Sequence, residues 1–237
     1  MRMSYRLFPV SILWALLLFV AACSTPEEEE AIIQPTNEAT VADSLAGDLV
    51  YVVFGHEVKD YAVWKQTHTD LAVTREAWGI TDSYIMQGAD EDSIVWMIST
   101  APNEEAAHEF MVDPNLARAM DAAGVEGEVY RAILAPGFVN SFDPNDFPNR
   151  IIVQHGVRDF DAWKAVFDGH AGSRERAGLV DLFVSHPVGD STDVHMMFGV
   201  LDESSLTNYM SSPALRVAMR LSGVIGEPKA YFVRKAD

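Results

Sequence analysis

Two short stretches carry the residues most able to do chemistry. "HEVKDYAVWK" begins at His56 and "HGVRDFDAWK" at His155. Both read His, any residue, Val, a basic residue, Asp, an aromatic, two residues, Trp, Lys. Imidazole is the side chain whose ordinary pKa lies closest to neutrality, so His56 and His155 are candidate proton donors or acceptors. Tyr61, Trp64 and His68, like Phe160, Trp163 and Phe167, recur at i, i+3, i+7 and share one helix face. Trp64 and Trp163 are therefore candidate walls of a ligand site. Arg75 and Arg174 follow in the same register and are candidate charged ligand contacts, with Asp82 and Asp181 behind them.

Each of these residues has a plainer reading. A histidine ending an apolar strand can be held by a hydrogen bond to Asp60 or Asp159. A tryptophan on an amphipathic helix can anchor that helix to a sheet, since one ring buries about 150–250 Å². The arginine and aspartate can be a structural ion pair. Two copies of one phrase preserve what folding needs as readily as what function needs, so repetition alone keeps both readings open.

Other chemistries find less support. The seven histidines form no i, i+4 helical pair, and Cys23 is the only cysteine, so no metal site is expected. His186 and His195 flank one hairpin, but Gln87 and Trp96 stand in the matching places, so a site there would exist in one half only. His108 sits on a helix where its counterpart is Thr207, which leaves no recognisable haem pattern. No cofactor is expected. "GVEGE" and "GVIGE" stand between a helix and a strand and read as turns. With 35 acidic against 17 basic side chains, a net charge of −18, the chain repels nucleic acid.

The phrase belongs to a longer repeat, whose elements must position it. An offset of 99 positions relates His56 to His155, Trp64 to Trp163, Arg75 to Arg174, Gly79 to Gly178 and Pro114 to Pro213, with no gap. A unit of that size is a domain repeat. Each copy begins with a β-branched strand and continues with a helix, over about 60–78 and 159–177. Asp60 or Asp159 caps the start, and Gly79 or Gly178 closes the end. Two strands follow, near 80–88 and 93–100, and near 179–187 and 192–200. A second helix is broken at Pro114 or Pro213, and a last strand runs near 127–134 or 227–234. The order is βαββαβ, which places repeat one at 48–135, a Pro- and Asn-rich linker at 136–148, and repeat two at 149–237. One sheet with helices on a single face leaves its other face bare. Two such sheets facing each other give an α+β fold, a pseudo-two-fold eight-stranded barrel within one chain.

The first residues have a separate role. Arg2 and Arg6 precede an apolar run that ends in Val20-Ala21-Ala22-Cys23, so 1–22 reads as a secretory signal peptide. The last four residues resemble a bacterial lipobox, which implies a diacylglycerol on Cys23. Ser24 after that cysteine implies sorting to the outer membrane. Residues 23–47 are acidic and Pro-containing and read as a tether.

The repeated motif and the βαββαβ order resemble the dimeric α+β-barrel superfamily that contains the antibiotic-biosynthesis monooxygenases, with the dimer fused into one chain. The resemblance implies a small apolar or aromatic ligand in a cleft between helix and sheet, or inside the barrel, bound and transformed without a cofactor if at all. A non-catalytic envelope module that contacts other proteins is the competing expectation. A solvent-reached pocket of roughly 300 Å³ or more, touched by His56 or His155, favours the first. A filled barrel with both imidazoles in core hydrogen bonds favours the second.

Overall fold

The computed structural model describes residues 49–140 and 146–236. The signal peptide, Cys23 and the tether lie outside the described residues. No described helix is long and apolar enough to cross a membrane.

The first half runs β1 (Val50–Val58), α1 (Tyr61–Asp70), α2 (Ala72–Ala77), β2 (Thr81–Gly88), β3 (Ile94–Ala101), α3 (Glu104–Val112), α4 (Pro114–Ala122) and β4 (Val125–Leu134). After a two-residue strand, β5 (Phe138–Val139), the second half repeats the order. It runs β6 (Asn149–Val157), α5 (Phe160–Gly169), α6 (Ala171–Arg176), β7 (Leu179–Ser185), β8 (Asp193–Val200), α7 (Glu203–Met210), α8 (Pro213–Leu221) and β9 (Val224–Lys235).

The sheet order is β4-β1-β3-β2-β9-β6-β8-β7-β5, antiparallel throughout. Each half supplies the 4-1-3-2 order of a split-βαβ sheet, as the sequence predicts. The halves join at two related places. Gly88 pairs with Val233 between β2 and β9. At the matching position of the other half, Pro187 bridges Leu134, and the Ala135 amide donates to the His186 carbonyl at 2.8 Å. These two seams close the barrel. The linker contributes more than a turn, because Phe138 and Val139 pair with Val184 and Phe183 of β7.

Local chemistry explains the boundaries. Asp60 accepts hydrogen bonds from the Ala62 and Val63 amides, and Asp159 from the Ala162 amide, so both act as helix N-caps. Gly79 and Gly178 take φ of 67° and 70°, the left-handed conformation that ends a helix without strain only where there is no Cβ. Pro114 and Pro213 stand at the first turns of α4 and α8, where a missing N–H costs nothing.

Two expectations need correction. The first helix of each half is not continuous: it breaks at Leu71 and at His170. The carbonyls of His68 and Phe167 at those breaks accept from the Arg75 and Arg174 guanidinium groups. A side chain thus replaces the helical partner, which propensity cannot reveal. The last strands also begin earlier than expected, at Val125 and Val224. Gly127 and Gly226 lie inside them, with φ of 66° and 72°, where the register against β1 and β6 shifts.

The core has three parts. One lies between sheet and helices in the first half, around Phe54, Trp64 and Phe110. Another occupies the same layer in the second half, around Ile151, Trp163 and Phe198. The third fills the barrel, where Val53, Trp96 and Leu134 meet Ile152, Phe183 and Met197. Each half covers the other's bare sheet face. The space left among Val53, Trp96, Ile152 and Met197 is about 10 Å³, about what a single water molecule needs.

Candidate functional site

Among the described residues an apolar cavity lies outside the barrel, between sheet and helices of the second half. Its volume is about 330 Å³. Its floor is β6, β8 and the start of β9, through Ile151, Val153, Met196 and Ala230. Its roof is α5, α7 and α8, through Trp163, Phe167, Tyr209 and Met219. Pro228 and Ala230 line it and are exposed, so the cavity reaches solvent at β9. The lining is overwhelmingly apolar. His155, His170, Arg174, Tyr209 and Ser222 are its polar members.

His155 reaches this cavity because β6 alternates. Ile151, Val153, His155 and Val157 point to the helix side, and the imidazole ends the stripe. His155 is only 8% exposed, and its Nδ1 is buried without a hydrogen-bond partner. Burial pushes its pKa below the ordinary imidazole value, partly offset by backbone groups at Gly156 and His155 and by Asp193. The ring is therefore neutral near pH 7. It meets Trp163 edge-on at 5.6 Å, and Trp163 stacks with Phe167 at 4.9 Å. A neutral imidazole in an aromatic cleft can accept a proton or hydrogen bond from a hydroxyl, or donate one to a carbonyl.

In the first half larger side chains stand in the same layer. Phe54 stands where Val153 does, fully buried, and packs edge-on against Phe110 at 6.3 Å. Arg131 stands where Ala230 opens the mouth, and its Nη2 donates to the Met120 sulfur at 3.4 Å. His56 is 5% exposed, and neither of its ring nitrogens finds a partner. Burial, reinforced by Arg131 and His68, pushes its pKa down to about 4. The expected bonds from His56 to Asp60 and from His155 to Asp159 do not form, because both aspartates are engaged in helix capping. Trp64 is buried between Tyr61 at 5.6 Å and His68 at 5.1 Å, both stacked on it. It anchors a helix, whereas Trp163 anchors its helix and also walls the cavity.

The arginines act mainly as clamps. Arg174 is buried, donates Nε and Nη2 to the two carboxylate oxygens of Asp181 at 2.7 and 2.6 Å, and lies 3.6 Å over the Phe167 ring. It lines the cavity, but its strong donors are already engaged. Arg75 pairs more loosely with Asp82, at 3.3 Å, and shares it with His68 at 3.2 Å. Burial works against ionised Asp82, yet His68, Arg75 and Ser99 together hold its pKa low.

His186 and His195 turn to different partners. His186 turns its Nδ1 to the Pro187 carbonyl. His195 sits inside the barrel, where Nε2 meets Asp193 at 3.0 Å and Tyr130 from the other half at 3.2 Å. Burial lowers its pKa and raises that of Tyr130. Among the described residues no group of three metal-ligating side chains forms. Sequence reasoning missed His170, Tyr209 and Ala230 as cavity residues. The signal lay in the aligned positions that differ, such as Phe54 with Val153 and Arg131 with Ala230, rather than in those that repeat.

No family model matches this sequence, and no curated protein is similar to it in sequence. Solved structures do match. An anthrone oxidase-like protein superposes with a TM-score of 0.58 at 12% identity, over 80% of this chain and 92% of its own. A proposed monooxygenase from Fusobacterium nucleatum gives 0.54 at 10% identity, over 81% and 94%. A heme-binding protein from Thermus thermophilus gives 0.50 at 13% identity, over 80% and 92%. At such identities the likeness concerns the fold. This chain has the dimeric α+β-barrel fold, completed within one polypeptide.

Proposed function

We propose that this protein binds a small apolar or aromatic molecule in the cavity of its second half, with His155 as the polar contact. One observation carries this reading: the layer around His155 holds an apolar cavity, with Val153 and Ala230 where the first half has Phe54 and Arg131. A sealed void of about 330 Å³ costs a core roughly 8 kcal/mol at about 24 cal/mol per Å³. An apolar cleft open to water avoids much of that cost, and a ligand there displaces water that finds few partners. Trp163 and Phe167 supply a flat aromatic wall, and Tyr209 adds a phenol to the lining. In this reading any catalysis is a proton transfer at His155, and the first half is the structural partner that completes the barrel. The proposal includes a lipid on Cys23 that holds the protein at the outer membrane, with 23–47 as its tether; labelling with a fatty-acid analogue in wild type but not Cys23→Ala tests that part.

The binding reading is tested by native mass spectrometry of ligands carried by the purified protein, compared with His155→Ala and His56→Ala. The expected result is a carried small molecule that His155→Ala loses and His56→Ala keeps. Spectra without ligand in all three, or a loss with His56→Ala alone, contradict it.

One observation favours a second reading, a haem. His170 donates its Nδ1–H to the Val166 carbonyl, 2.8 Å away, and lines the cavity. An imidazole fixed through one nitrogen is oriented to offer the other to a metal. His170 would therefore hold the iron, and the haem would supply redox chemistry there. The cavity volume, at the small end of ligand sites, favours the smaller ligand. A Soret band on adding hemin that His170→Ala abolishes would decide for haem.

A further inference from the structure

Next to the cavity lies a second cleft of about 380 Å³, and the two share Met219 and Val224 as a common wall. Arg216 and Arg220 line this outer cleft. They stand one turn apart on α8 and are both exposed. Arg216 gives one donor to the Ser211 carbonyl at 2.6 Å. Among the described residues no carboxylate lies within ion-pair distance of either arginine.

In a chain with 35 acidic and 17 basic residues, Arg216 and Arg220 are neighbouring cations one helical turn apart on one cleft wall. The other half lacks the pair. Ala117 and Asp121 take the places of Arg216 and Arg220. The arginine pair thus belongs to the half that holds the cavity, and it borders that cavity across Met219 and Val224.

The cavity interior has no place for an anion. Its one cation, Arg174, is matched by Asp181 and stacked on Phe167. A charged head must therefore stay outside, within reach of the outer arginines, whose forked donors suit carboxylate, sulfonate or phosphate.

Building on the binding reading above, we propose that the ligand is an anionic amphiphile. Its ring or chain lies in the cavity beside His155 and Trp163, and its head rests on Arg216 and Arg220 across the Met219–Val224 wall.

Two fluorescent probes that differ by one group test this: 1-anilinonaphthalene-8-sulfonate and the neutral N-phenyl-1-naphthylamine. Titrations use the purified protein, R216Q/R220Q and Ala230→Arg. The double variant should bind the sulfonate about tenfold more weakly, lose most of its salt dependence, and bind the neutral probe as wild type does. Ala230→Arg should block both probes. Equal sulfonate affinity in wild type and R216Q/R220Q, with the neutral probe still bound, overturns the head-group assignment and leaves the cavity standing. Binding of neither probe by wild type overturns both. Sedimentation with phosphatidylglycerol vesicles gives the membrane alternative: arginine-dependent sedimentation with unchanged sulfonate binding would assign the pair to a bilayer surface and refute the proposal.

Discussion

The two halves of this barrel start from the same phrase and end in opposite states. Around His56 the sheet and helices close on Phe54 and Phe110, exposed Arg131 stands at the edge, and the imidazole is sealed with neither nitrogen satisfied. Around His155 the same layer holds Val153, Tyr209 and Ala230, and about 330 Å³ stays open. The repeated residues thus build the frame, while the residues that differ between copies decide whether the frame holds anything. An orphaned imidazole is tolerable in both places only because it is neutral. Burial secures that neutrality in each half.

Making the second half resemble the first should abolish the contrast. Val153→Phe with Ala230→Arg should fill the cavity with the side chains that fill it around His56. Ligand affinity should fall by more than about a hundredfold, roughly 3 kcal/mol, while the circular dichroism spectrum stays that of wild type. Retained binding in a folded variant would place the ligand elsewhere.

The sealed histidine gives the next largest effect, through pH. The folded pKa of His56 lies at about 4 against an ordinary 6.5. Between those values the unfolded chain binds a proton that the folded one refuses. This contribution is intact above pH 6.5 and is lost as pH falls toward 4, by on the order of 3 kcal/mol. His155 and His195 are shifted in the same direction and add to the slope. Urea unfolding across this window should show a flatter pH dependence for His56→Met than for wild type. An unchanged slope would mean that His56 is not the sealed group described.

A smaller change approaches the same contrast from the other half. Phe54→Val with Arg131→Ala should open the layer around His56, at a cost of about 2 kcal/mol, and should create a second site for a neutral aromatic probe. Stability loss without a new site would show that Phe110 relaxes into the gap.

Much of the frame was legible in the sequence. Period-two stripes, Asp caps, closing glycines and prolines at helix starts each point to a local structure, and they agree with one another across 99 residues. The helix breaks were not legible, because they depend on Arg75 and Arg174 reaching carbonyls seven residues back. The cavity was only half legible. His155 and Trp163 stood out by repetition, but repetition gave His56 and Trp64 equal weight. What separates them is side-chain volume at Phe54 and Val153 and at Arg131 and Ala230, and that matters only once the fold shows these positions facing one layer. The arginine clamps were ambiguous for the same reason: whether a guanidinium meets a ligand or Asp181 is decided by distances.

Crystals equilibrated under xenon would show at once whether one half is open and the other packed, because xenon enters apolar cavities and finds no room in a filled core. A strong xenon peak is expected beside Trp163, Phe167 and Met196, and none at the matching place beside Trp64 and Met97. Peaks of equal height in both halves, or none in the second, would contradict the unequal halves described above.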